Sequence, residues 1–114
     1  MKYSFEGIGQ WNATFACADV AEGLPVKAGG SGTAVTAAAG EDFMGLVAAT
    51  ARDGKACTVQ LGGMATIAYT GTAPALGYTI LVSDGAGGIK TASTGHARLV
   101  VDVNTTDKTV TFVL

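Results

Sequence analysis

The sequence feature that most limits the fold is a run of 28 residues, 56–83, that contains no Asp, Glu, Lys, Arg or His. At its start Cys57, Val59 and Leu61 alternate with polar residues, and this period of two predicts a strand with one buried face. Strands of a solvated monomer usually carry Lys and Glu on the outer face. We therefore expect protein, rather than solvent, to cover much of what this run forms.

The same run is expected to form a meander of three strands. Gly62-Gly63 is predicted to turn the first strand back onto a second at 64–70. A third strand is expected at 78–82, and the turn residues 84–88 would reverse it.

Composition points to the same fold class. Of the 114 residues 48% are hydrophobic and 14% are charged, against about 25% charged in an average soluble protein. The 17 glycines suit short strands joined by tight turns. We expect an all-β fold, a small β-barrel or β-sandwich of about nine to eleven short, mostly antiparallel strands with little or no helix.

Two positions and one hairpin give more specific expectations. Pro25 should lie at a sheet edge or a strand start, and Gly45 should mark a bulge or a close backbone approach. The clearest hairpin is the last, with its turn at residues 104–107. On its first strand, Leu99, Val101 and Val103 are predicted to share one face. On its second strand, Val110, Phe112 and Leu114 are predicted to share one face.

Residues 1–11 are expected to be either an N-terminal docking arm or a first strand, and residues 12–114 to be a single β domain. A terminal segment is usually poorly ordered unless something holds it. Its aromatic residues Tyr3, Phe5 and Trp11 are therefore the candidate partner contacts. The start of the chain lacks the apolar core of a signal peptide, so we expect a protein that is assembled in a cytoplasm.

Several partner classes are disfavoured. A net charge of −2 without a cluster of Lys or Arg does not suit nucleic acid. The uncharged run is long enough to cross a bilayer, but its glycines, threonines and strand period argue against a membrane helix.

Catalytic and metal-binding patterns are also weak, and we expect no enzyme, cofactor or metal site. His96 is expected to be an exposed loop residue. Glu41 and Asp42 are adjacent and should form a solvated turn pair, not a proton-sharing dyad. Cys17 and Cys57 lack zinc or redox spacing; a disulfide remains open, but two small buried hydrophobes are favoured.

Parts of the chain resemble the small capsid decoration (cement) proteins of tailed bacteriophages and prophages. In that family an "A-x-G-E…G-V-A" strand precedes a "G…V-x-V…G" hairpin and a "G-x-x-V/L-Y" strand that ends at a "D-G-x-G" turn. The resemblance covers roughly residues 37–90 and rests on 39–48 (AGEDFMGLVA), 53–63 (DGKACTVQLGG) and 74–78 (PALGY).

The resemblance implies a non-enzymatic virion protein that binds the outer surface of the head. Its partners would be the major capsid protein and further copies of itself, with a trimer as the favoured oligomer. Residues 2–11 would be the docking arm, adding a strand to a capsid edge or burying their aromatic side chains.

Two alternatives stay open. A head–tail connector or tail-tube subunit would form rings or tubes. A carbohydrate-binding or adhesin module would need its aromatic residues on one exposed face, with Tyr3, Trp11, Tyr69 and Tyr78 as the candidates.

Overall fold

A computed structural model describes residues 10–18 and 20–114. These residues form ten strands and no helix, which confirms the predicted all-β class. The strands are β1 (Trp11–Cys17), β2 (Pro25–Gly30), β3 (Thr33–Thr36), β4 (Gly45–Thr50), β5 (Ala56–Gly62), β6 (Met64–Ala68), β7 (Gly77–Ser83), β8 (Ile89–Thr91), β9 (Ala97–Asn104) and β10 (Thr109–Val113).

The first five strands close into a small barrel in the order β1-β3-β2-β4-β5, and β5 pairs with β1. Every pairing is antiparallel except that of β1 with β3, which is parallel through Ala16–Thr33 and Cys17–Ala34. A barrel of so few strands is narrow, so small or β-branched side chains fill it. Its buried residues are Cys17, Val26, Ala34, Val47, Cys57 and Val59.

The other five strands form a second sheet in the order β6-β10-β9-β7-β8, with antiparallel neighbours throughout. Its core is larger and includes residues from the barrel half of the chain. Phe43, just before β4, meets Phe112 of β10 edge to face, with 6.0 Å between ring centroids. An aromatic pair of this kind contributes about 0.5–1.5 kcal/mol beyond its area burial, so it helps to fix the barrel against the sheet.

The predicted pairing of the three meander strands is wrong, whereas the predicted reversal at residues 84–88 is confirmed, because β7 pairs with β8. β5 and β6 do not pair with each other. β1 and β4 occupy the two edges of β5, whereas β6 pairs with β10. Gly62-Gly63 carries the chain from the barrel into the second sheet, and Gly63 takes a left-handed conformation with φ 89°. The uncharged run is therefore divided between two sheets, and part of it lies in the protein's own core.

The last hairpin follows the prediction on one strand only. Val110 and Phe112 are fully buried and Leu114 packs against the same core. On β9, however, Val103 pairs with Val110 and Val100 with Phe112, so β9 has one residue more than β10 between them. This bulge places Val100 and Val103 on the core side, and the predicted face of Leu99, Val101 and Val103 is wrong.

Local turn and glycine predictions are confirmed. Asn104 Oδ1 accepts the backbone N–H groups of Thr106 and Asp107 at 3.0 Å, which forms the predicted turn. Pro25 is the first residue of β2. At Gly45 a Cβ atom would lie 2.1 Å from the carbonyl oxygen of Gln60, so the backbones approach too closely for a side chain.

Candidate interaction surface

The carboxylates of Glu41 and Asp42 stabilise turns by accepting hydrogen bonds from backbone N–H groups. Glu41 is half-buried, pairs with Lys27 and accepts the Ala38 N–H at 2.8 Å. The hydrogen bond from Lys27 lowers the pKa of Glu41 below its usual value of 4.5. Asp42 instead accepts the backbone N–H of His96 at 2.9 Å, and His96 is exposed as predicted. The two carboxylates therefore have different partners and form no dyad.

Cys17 and Cys57 are free thiols buried in the barrel, which confirms the prediction of two small buried residues. Burial raises the pKa of Cys57 to about 11, and hydrogen bonding with Cys17 adds to the shift. Cys57 therefore stays protonated at neutral pH, and a protonated thiol is a poor nucleophile and metal ligand.

Three further observations concern metal ions, the membrane and small ligands. Residues 10–18 and 20–114 contain no group of three or more His, Cys, Asp or Glu residues that could hold a metal ion. They also contain no helix of the length and apolarity needed to cross a membrane. A depression of about 210 Å³ near the barrel is lined by Ala, Thr and Cys57 side chains, without a charged residue.

Two turns within the region of the family resemblance touch each other, one at Gly40 and one at residues 84–88. Asp84 Oδ1 accepts the N–H groups of Ala86 at 2.7 Å and Gly88 at 3.0 Å. The Gly40 N–H donates to the Ser83 carbonyl oxygen, and a Cβ on Gly85 would lie 2.8 Å from that of Ala39. These residues hold the barrel to the second sheet, so their role is in the fold.

Arg98 has a structural role that the sequence did not indicate. It is 6% exposed, donates a hydrogen bond to the Phe43 carbonyl oxygen and lies 4.3 Å from the centre of the Phe43 ring. Burial lowers the pKa of Arg98, while nearby Asp42 opposes that shift. The side chain thus joins β9 to the loop before β4.

The outer face of the second sheet carries a row of apolar residues, one from each of four neighbouring strands. Tyr78 is opposite Leu99, Leu99 is opposite Val113, and Val113 is opposite Met64. Directly opposed residues project to the same face. Because the neighbouring Val100 and Phe112 are buried in the core, this row faces outward. We call Met64, Val113, Leu99 and Tyr78 the outer row.

The outer row is accessible and uncharged. Tyr78 is 79% exposed, and Leu76, just before β7, is 69% exposed. Leu99, Val113 and Met64 are each half-buried. β6, β7 and β10 contain no charged residue. Of the two charged residues of β9, Arg98 is buried, and the half-buried Asp102 lies opposite Thr111 on the outer face, outside the row. An apolar surface of this kind suits a protein partner better than solvent.

Of the three predicted contact residues, Trp11 is the one within the described residues; Tyr3 and Phe5 lie outside them. Trp11 is 57% exposed and its indole covers Gly62, two residues before Met64 in the chain. The four-residue aromatic platform considered for carbohydrate is wrong as a whole, because Tyr69 is buried in the core. Sequence could not separate Tyr69 from Tyr78, since both lie in the uncharged run.

Comparison with known proteins gives no family for the chain. No protein-family model matches it, and no curated protein matches it either.

Proposed function

We propose that this protein is a non-enzymatic structural protein of a phage virion, which binds the outer surface of the capsid as a decoration protein and stabilises the head. The observation that carries the proposal is the outer row with Leu76, a set of accessible apolar side chains on the outer face of the second sheet. Its partners would be the major capsid protein and further copies of this chain, with a trimer as the favoured oligomer. No cofactor enters the proposal.

The outer row has properties that suit an interface with a repeating protein lattice. Stable protein interfaces bury roughly 1,200–2,000 Å² in total and exclude charge from their centre, where aromatic residues are enriched. Tyr78, at one end of the row and opposite the half-buried Leu99, supplies an exposed aromatic side chain of the kind that is enriched there. Several copies joined in one oligomer would bind a lattice with high avidity even if each contact were weak.

The test uses expanded heads assembled from the major capsid protein encoded beside this chain's gene. We expect the protein to co-sediment with these heads to saturation. Tyr78→Asp should weaken binding at least tenfold, about 1.4 kcal/mol, because it places an unpaired charge in an apolar interface. Thr105→Asp is the matched control: it adds the same charge at an exposed turn at the other end of the β9–β10 hairpin and should bind normally.

Two outcomes would overturn the proposal. One is the absence of saturable binding by the unmodified protein, and the other is equal binding by Tyr78→Asp and the unmodified protein. Mass measurement in solution addresses the oligomer separately: a trimer supports the proposal, and a ring of six or more copies contradicts it.

A further inference from the structure

The chain contains two Asp-Gly steps, Asp53-Gly54 and Asp84-Gly85. Because glycine has no side chain, its backbone nitrogen can approach the carboxyl group of the preceding Asp and attack it. The nitrogen loses its proton and bonds to Cγ of Asp, and a carboxyl oxygen leaves as water. Water then opens the succinimide ring at either carbonyl, which gives back Asp or yields isoaspartate without an oxidant or a cofactor. Both sites share the same dipeptide, so a large difference between them must come from the fold.

The carboxylate of Asp84 is held by three hydrogen bonds. Its Oδ1 accepts the N–H groups of Ala86 at 2.7 Å and Gly88 at 3.0 Å, and its Oδ2 accepts the Thr70 hydroxyl at 3.2 Å. Asp84 is half-buried, and a Cβ on Gly85 would lie 2.8 Å from a neighbouring Cβ. To turn toward the glycine nitrogen, this carboxyl group must give up its hydrogen bonds inside a closely packed turn.

Asp53 is held much less firmly. Among the described residues its carboxylate accepts one hydrogen bond, from the Lys55 N–H at 2.9 Å. Asp53 is exposed, and a Cβ on Gly54 would lie more than 4 Å from every described residue except its chain neighbours. The Gly54 N–H donates to the Ala51 carbonyl oxygen at 3.0 Å, much as the glycine of the other turn donates to the Ser83 hydroxyl at 3.2 Å. The two turns therefore differ in how the carboxylate is held and in the space around it.

We propose that Asp53 is a site of spontaneous isomerisation to isoaspartate, that Asp84 is protected from this reaction, and that the modification uncovers Cys17. The last part follows from contacts of the same turn. The Lys55 carbonyl oxygen accepts the Cys17 N–H at 3.0 Å, and the Gly54 carbonyl oxygen accepts the Cys17 thiol at 3.8 Å. Isoaspartate adds a methylene to the main chain directly before Gly54, so these carbonyl groups must shift. The inference holds for the free protein and does not depend on the proposed function.

Incubation of the folded, full-length protein in warm neutral buffer tests the choice of site. Isoaspartate is counted with an isoaspartyl methyltransferase and labelled S-adenosylmethionine, and chromatography of proteolytic peptides locates it. It should form at least about tenfold faster at Asp53 than at Asp84, because two further side-chain hydrogen bonds must break at Asp84. In guanidinium chloride the two rates should be similar, since the fold is lost. Equal rates in the folded protein, or the same ratio in both conditions, would overturn the proposal.

A substitution at Thr70 tests the reason for the protection. Thr70 is exposed, and Thr70→Val removes its hydrogen bond to Asp84 while nearly keeping the shape of the side chain. Isomerisation at Asp84 should become about threefold faster, whereas the rate at Asp53 should not change. An unchanged rate at Asp84 would contradict protection by hydrogen bonding.

The exposure of Cys17 is measured in the Cys57→Ala variant, in which Cys17 is the single thiol. Isomerised and unmodified protein are separated by ion-exchange chromatography and treated with a thiol reagent at pH 8. Cys17, which is 7% exposed in the unmodified protein, should react several-fold faster in the isomerised fraction. Equal reaction rates in the two fractions would overturn the last part of the proposal.

Discussion

Replacement of Gly62 by alanine tests the contact between Trp11 and the end of β5. A Cβ atom at residue 62 would lie 2.1 Å from Nε1 and 2.3 Å from Cδ1 of the Trp11 indole. Ordinary carbon contacts begin near 3.5 Å, so the ring must move away. We therefore expect Gly62→Ala to destabilise the protein through loss of the indole contact, and not through the backbone of Gly62.

The size of the effect follows from the area that Trp11 covers. Its side chain is 57% exposed, and a buried aromatic side chain covers about 150–250 Å². The part in contact is thus roughly 65–110 Å², or about 2 kcal/mol at 25 cal/mol per Å². Gly62→Ala should lower the free energy of unfolding by up to about 2 kcal/mol. In a Trp11→Ala background it should cost almost nothing, because no ring remains to be displaced.

Urea unfolding followed by circular dichroism, in a double-mutant cycle of the two substitutions, measures this coupling. Trp11 is the single tryptophan of the chain, so its fluorescence gives a second readout, and Gly62→Ala should shift the emission to longer wavelength. Equal destabilisation in both backgrounds, or an unchanged emission spectrum, would refute the reasoning.

Three further predictions concern the core, the ion pair and the thiols. Phe112→Ala should cost about 3–5 kcal/mol of unfolding free energy, whereas the outward-facing neighbour Val113→Ala should cost much less; equal losses in urea unfolding would contradict the assigned faces. The pKa of Glu41 is lowered in the folded state, so its contribution to stability is present above the unfolded value of 4.5 and is lost as pH falls through the lower folded pKa. The melting temperature of Lys27→Met should therefore fall less than that of the unmodified protein on acidification, and parallel pH profiles would disprove this. Cys57, with a pKa of about 11, should react with a thiol reagent at pH 8 only slowly until urea unfolds the chain; rapid reaction of the folded protein would contradict its burial.

The sequence predicted those features that depend on neighbouring residues. The alternation of Val110, Phe112 and Leu114 identified a strand face correctly, since side chains alternate whatever partner the strand has. The turn at Asn104 followed from a side chain that bonds to its own backbone. Pro25 and Gly45 were placed correctly for the same reason, because each restricts the chain locally.

Features that depend on distant partners were missed. Ala65 pairs with Phe112, and nothing near either residue indicates this. The bulge in β9 follows from its fit to β10, so it could not be read from the alternation of Leu99 and Val101. The burial of Arg98 depends on the Phe43 ring and carbonyl, which a loop far away in the chain supplies, so the residues next to Arg98 do not indicate it.

The place of β10 within its sheet has a consequence for biosynthesis. This strand comes last along the chain but lies between β6 and β9. While a ribosome is still translating β7 to β9, Met64–Ala68 has no ladder partner in this sheet, and its uncharged edge is available to other nascent chains. Completion of the second sheet must wait until β10 has emerged, so this half of the protein is expected to fold late and to be the more prone to aggregate during synthesis.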